Sequence, residues 1–227
     1  FLRPGLKVLE LGSSPGAWTQ VNISILGRKN VWCVDKAEME LIEGAFFKKI
    51  DVLDEKVYEK LNKFLGQKVD IIQSDMAASS TGHSKTDHLR TMSLCERSFD
   101  IAITFLNQGG TFISKVLQGG TGNELLIKLK NSFENVKHSK PKSSRKESSE
   151  MYVIATNFKD KIQESLEFLK RKRIYALLVH RENDILKPGF EELYNHLLKW
   201  VVRVWGVLKI QGIQINCCGA DGGDDVQ

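Results

Sequence analysis

The stretch Leu9-Glu10-Leu11-Gly12-Ser13-Ser14-Pro15-Gly16-Ala17-Trp18 reads as an apolar strand that breaks at a glycine-containing turn and passes at once into a helix. Gly12 and Gly16 let the backbone approach a ligand closely, and the first N–H groups of the helix are free to bind a carboxylate or phosphate. A dinucleotide-binding turn would carry a glycine where Ser14 stands. Pro15 fixes the loop and donates nothing, so a nicotinamide dehydrogenase is disfavoured. For this segment alone, a glycine turn that merely closes strand on helix remains the alternative.

The rest of the chain repeats the alternation, with short β-branched or apolar runs predicted as strands at 7–11, 30–35, 46–51, 69–74, 111–116, 136–140 and 151–156. Helices are predicted at 17–26, 55–64, 88–106 and 123–133, the third from Leu89, Met92, Phe99, Ile103 and Leu106 at helical spacing. The pattern predicts an α/β fold, a Rossmann-like, doubly wound, seven-stranded and mostly parallel sheet with helices on both faces. The small, polar segment 77–85 follows the fourth strand, where such folds carry their ligands, and reads as a loop.

Composition sets the outer bounds. A chain of 227 residues, 41% hydrophobic and 27% charged, accommodates one α/β domain with a core and excludes general disorder. A net charge of +5 permits a polyanionic partner without naming one. Cys33, Cys95, Cys217 and Cys218 show no zinc-ligand spacing and read as reduced thiols, so no metal is expected. No apolar run has the length of a membrane span, and the first residues lack the order of a signal peptide.

Ligand-capable groups recur at the strand ends. Asp35 ends the second strand, where a carboxylate can accept both hydroxyls of a ribose, and Asp51 closes the third, within reach of an adenine amino group. Asp75 follows the fourth strand, Lys115 stands near the end of the fifth, and Glu150 opens the seventh. A lysine in an apolar strand is costly to bury without a partner, which points either to a tuned site or to a structural ion pair.

Four segments taken together resemble the successive motifs of the FtsJ/RrmJ family of ribosomal RNA methyltransferases. They are Gly-Ser-Ser-Pro-Gly-Ala-Trp at 12–18, Ser-Asp-Met-Ala at 74–77, Gly-Gly-Thr-Phe-Ile-Ser-Lys-Val at 109–116, and Lys-Pro-Lys-Ser-Ser-Arg at 140–145 with Ser-Glu-Met-Tyr at 149–152. The resemblance covers residues 1–158 and implies a class I methyltransferase that uses S-adenosyl-L-methionine. The implied substrate is the ribose 2′-hydroxyl of a uridine in large-subunit ribosomal RNA, free or in a 50S-type particle, in the loop that receives the aminoacyl end of tRNA. It implies Asp75, Lys115 and Glu150 as three members of a Lys-Asp-Lys-Glu catalytic tetrad, and Gly12, Gly16, Trp18, Asp35, Asp51 and Asp75 as cofactor residues. The family's first lysine lies on a helix upstream of the first strand, ahead of Phe1, which leads to the expectation of an N-terminal truncation. Lys115 either removes the hydroxyl proton or stays charged and steers the hydroxyl.

The run 128–146, with seven lysines and arginines against Glu134 alone, fits contact with RNA phosphates. Beyond 158 the alternation stops, and 159–227 is expected to be an extension of unknown role or a product of an altered reading frame. It holds the basic run 170–173, Trp200 and Trp205. A monomer is expected, in the bacterial cytoplasm or the mitochondrial matrix. Methylation of transfer RNA or a messenger cap, and noncatalytic RNA binding, stay open as alternatives.

Overall fold

The structure, a computed structural model, describes residues 1–78, 81–117, 122–142, 144 and 148–160. Among these, the strands β1 (Val8–Leu11), β2 (Val31–Asp35), β3 (Ala45–Lys49), β4 (Val69–Ser74), β5 (Leu106–Leu117), β6 (Phe133–Ser139) and β7 (Glu150–Phe158) form one sheet. Its order is β3-β2-β1-β4-β5-β7-β6. The first five strands pair in parallel, and β7 runs antiparallel to both β5 and β6. Helices α1 (Ala17–Leu26), α2 (Val57–Leu65), α3 (Ser84–Phe105) and α4 (Asn123–Ser132) connect them.

Strand alternation divides the apolar residues between two faces. Leu9, Leu11, Val34, Ile72 and Phe112 pack against Leu61 of α2, Phe99 of α3 and Leu129 of α4 in the main core. Val8, Val31, Cys33 and Ile71 pack with Leu26 of α1 on the opposite face. Helix α2 follows directly from its sequence, because Val57, Leu61 and Leu65, four residues apart, are its buried positions.

The departures from expectation have local causes. Helix α3 begins at Ser84, so the end of the expected 77–85 loop is already helical. Asp87 in the first turn accepts bonds from both the backbone nitrogen (2.8 Å) and the hydroxyl (2.7 Å) of Thr81 and favours the early start. Its buried stripe is Met92, Cys95, Phe99 and Ala102, at 3-4-3 spacing, whereas Leu89 is 70% exposed and Ile103 38%. Phe133 leaves the end of the predicted fourth helix and pairs with Phe158 as the first residue of β6. Strand β3 ends at Lys49, so Asp51 lies beyond the strand rather than closing it.

No helix among the described residues is long and apolar enough to cross a membrane. Cys33 and Cys95 are buried free thiols. The expected extension, apart from Lys159 and Asp160, lies outside the described residues, as do its tryptophans, Cys217 and Cys218.

Candidate active site

The chain builds β1, β2 and β3 outward to one side and then crosses back to place β4 on the other side of β1. Doubly wound sheets open a crevice beyond the strand carboxyl ends at such a switch point. There a cleft of about 100 Å³ is lined by Gly12, Asp35, Asp51, Val52, Leu53 and Met76, among others.

The glycine turn that borders it is held from two sides. Asp35 accepts the Ser14 amide at 3.0 Å with one carboxylate oxygen and the Ala37 amide at 2.8 Å with the other. Gly12 has φ +78, and a Cβ there would stand 2.5 Å from Met76 Cγ. Asp51, two residues past β3, bonds the Leu53 amide at 2.9 Å with one oxygen and so shapes the adjoining wall. Gly16, Trp18 and Asp75 do not line this cleft.

Asp75 and Trp18 belong instead to a second cluster, and Gly16 faces Ile42 and Met39. Cys33, Glu10, Gln73, Ile113 and Ile154 stand in one row across five strands, so Asp35, Lys115, Tyr152 and Glu150, two or four residues along, share their face. Lys115 Nζ lies 3.1 Å from Asp75 Oδ1 and 3.2 Å from Glu150 Oε1. The Tyr152 hydroxyl donates to the same Asp75 oxygen at 2.8 Å, and its ring packs against Trp18 with centroids 5.6 Å apart. Lys115 is 8% exposed. The Glu150 side chain is about half open to solvent.

Burial is the largest single influence on Lys115 and draws its ammonium toward neutrality. Asp75 and Glu150 together outweigh it, and the net displacement is upward. Burial, and then the bond to Asp75, hold the Tyr152 phenol well above its ordinary value. The cluster is therefore a cation clamped between two carboxylates beside a polarised phenol.

Sequence reasoning named Tyr152 only as part of a motif and gave Glu10 no role. The signal for Tyr152 was its spacing of two from Glu150, which puts both on one face of a strand. Glu10 is an acid inside a strand buried on both faces, with 1% exposure. Its Oε2 accepts Thr19 Oγ1 at 2.9 Å and Asn22 Nδ2 at 3.2 Å, tying β1 to α1. Burial raises its pKa to about 7, with a smaller contribution from Asp75 and Asp35.

Residues 1–158 match the family model described as FtsJ-like methyltransferase. The ribosomal RNA large subunit methyltransferase E of Parvibaculum lavamentivorans is 43% identical over 178 residues, 74% of this chain and 70% of that protein. The protein of the same name from a Ruegeria species is 45% identical over 168 residues, 70% of this chain and 71% of its own. Among solved structures, a ribosomal RNA methyltransferase from Plasmodium falciparum aligns with a TM-score of 0.59 and 31% identity, over 70% of this chain and 89% of that one. The sheet is thus that of a Rossmann-like class I methyltransferase.

Proposed function

The chain belongs to the FtsJ-like methyltransferase family, and from that premise we propose that it methylates a ribose 2′-hydroxyl, a uridine's, in large-subunit ribosomal RNA, using S-adenosyl-L-methionine. The observation that carries this reading is Lys115, nearly buried between Asp75 and Glu150 on the rim beside the glycine-bordered cleft. The names of the relatives support the substrate class.

The donor groups present fit the cofactor. Apolar walls from Val34, Ile50, Val52 and Met76 suit a base, and Asp35 and Asp51 offer carboxylates to ribose and amino hydrogens. Ser13 Oγ, within the glycine turn, is buried and makes no hydrogen bond among the described residues, leaving a polar atom for a ligand to satisfy. When bound, S-adenosyl-L-methionine supplies an electrophilic methyl group on a sulfonium.

The residues of the chain then have to orient the attacking oxygen and manage its charge. Lys115, held charged by its two carboxylates, donates toward the hydroxyl oxygen and stabilises the negative charge that develops as its proton leaves. Asp75, steadied by Tyr152, fixes the ammonium from below. Glu150, half exposed, is the carboxylate open to the incoming ribose and is available to accept the proton.

Lys115, Tyr152 and Ser139 stand in one row across β5, β7 and β6. Lys137, two residues before Ser139 on the same face of β6, and Lys142, just past the strand, therefore stand toward the rim, where an RNA backbone would lie. Replacing the exposed Lys137 and Lys142 together by serine is expected to weaken RNA binding and to reduce the slope of log affinity against log salt by about 2, with cofactor affinity unchanged. Filter binding over a salt series measures this. An unaltered slope would remove these lysines from the interface.

We assign catalysis to residues 1–158, with the sequence from 159 as an extension, and the enzyme to a monomer in the compartment of its ribosomes. The deciding experiment is transfer of labelled methyl to undermethylated large ribosomal subunits. It is run with this chain and with a form extended upstream by the lysine-bearing helix that the family resemblance implies, and the product nucleotide is mapped. Label on a uridine 2′-oxygen in the aminoacyl-tRNA-receiving loop is expected. Label elsewhere than on a ribose 2′-oxygen, or cofactor binding without transfer by either form, would overturn the assignment.

A further inference from the structure

One wall of the cleft is a short turn rather than a strand or helix. Its residues Asp51, Val52 and Leu53 line the cleft; Val52 is 5% exposed and packs in the main core, whereas Leu53 at the tip is 60% exposed. Within the turn, the Leu53 amide is bonded to the Asp51 carboxylate at 2.9 Å and the Asp54 amide to the Asp51 carbonyl at 3.1 Å. These bonds fix the turn's shape and the Val52 side chain anchors it in the core, which leaves its outward carbonyls to be held by other groups.

Arg97, from the middle of α3, holds those carbonyls. Its Nε donates to the Val52 carbonyl at 2.8 Å and one terminal nitrogen donates to the Asp54 carbonyl at 3.2 Å, so the guanidinium brackets Leu53. The other terminal nitrogen reaches the Tyr58 hydroxyl at 3.3 Å, and the guanidinium carbon lies 5.0 Å from the Tyr58 ring centre. A planar fork with donors in several directions can hold two carbonyls and a ring at once, which an ammonium cannot.

We propose that Arg97 is a positioning residue for cofactor binding: it sets the Val52–Asp54 backbone so that the wall meets the adenosine part of the cofactor. This deepens, and rests on, the cofactor reading above. It touches neither Lys115 nor its carboxylates, so its effect falls on affinity and not on the transfer step.

The test is titration of the purified chain with S-adenosylhomocysteine and with adenosine, together with amide hydrogen exchange. Arg97→Met is expected to weaken both ligands by the same factor, about tenfold, the worth of one charge-assisted bond. Exchange at the Leu53 and Asp54 amides should quicken while that of β1 and β4 stays as it was, which a general loss of stability would not produce. Arg97→Lys, which keeps the charge and most of the stem, is expected to lose most of the same affinity and decides the matter if the methionine variant does not fold. Tyr58→Phe leaves both carbonyl bonds and is expected to bind normally. Folded Arg97 variants with unaltered affinity, or exchange that quickens equally throughout the sheet, would overturn the proposal. Failure of the unsubstituted chain to bind S-adenosylhomocysteine would instead overturn the cofactor reading, and the proposal with it.

Discussion

Lys115→Ala is expected to lower methyl transfer by about 10³-fold while S-adenosylhomocysteine binds within about threefold of the unsubstituted chain. The separation follows from position, since Lys115 is not among the residues that line the cleft beside the glycine turn and instead bridges Asp75 and Glu150. Its loss leaves two carboxylates facing each other, but Glu150 is half open to water, so the fold tolerates the change. Two further measurements separate a charged lysine from a neutral base. A lysine whose proton is held above its ordinary value gives transfer that is flat with pH between 7 and 9, whereas a base that must first deprotonate gives a rate rising about tenfold per pH unit over that range. Lys115→Arg, which keeps a charge but cannot act as a base, should retain measurable activity. Near-normal turnover in Lys115→Ala would remove the residue from the chemistry altogether.

The second large effect concerns Glu10. Its folded-state pKa, about 7, lies above the ordinary 4.5. The protonated group therefore contributes its full stability below about pH 4.5, and that contribution is lost as pH rises through 7. The difference between the two limits is about 3 kcal/mol, most of it falling between pH 5 and 8. Glutamine is the uncharged isostere, and its carbonyl can still accept from Thr19 and Asn22. Urea denaturation should show Glu10→Gln nearly as stable as the unsubstituted chain at about pH 5 and more stable by about 2–3 kcal/mol near pH 8. Equal stability of the two proteins at pH 8 would mean that Glu10 is ionised in the fold without penalty. Because Asp35 and Asp75 also press on this group, its proton is coupled to the charge of the site above it.

How far the sequence carried these conclusions depended on how local the cause was. The strand–turn–helix unit at 8–26 follows from its own residues, because apolar alternation, two glycines and a helix-compatible run all lie within it. Asp75, Lys115 and Glu150 were legible as residue types at strand ends. Their meeting was not, since Asp75, Lys115 and Glu150 are brought together by the pairing of β4 with β5 and of β5 with β7. Asp51 was displaced from its expected place because the end of β3 is set by its pairing with β2, which stops at Lys49. Arg97 was invisible for a related reason. On its own helix it looks like a solvated cation, and only the fold brings the carbonyls of Val52 and Asp54 to it.

Strand β7 enters the sheet against the direction of its neighbours and so presents its first residues, where they present their last, to the rim. Tolerance to insertion therefore changes abruptly at Glu150. Residues added to the connection between β6 and β7 lengthen a tether and leave the paired strand in register. A single residue added inside β7, between Tyr152 and Glu150, would turn Glu150 to the far face of the sheet and separate it from Lys115. The reach of the basic connection can therefore change independently of Glu150, whose place beside Lys115 the pairing of β7 with β5 holds to a single position.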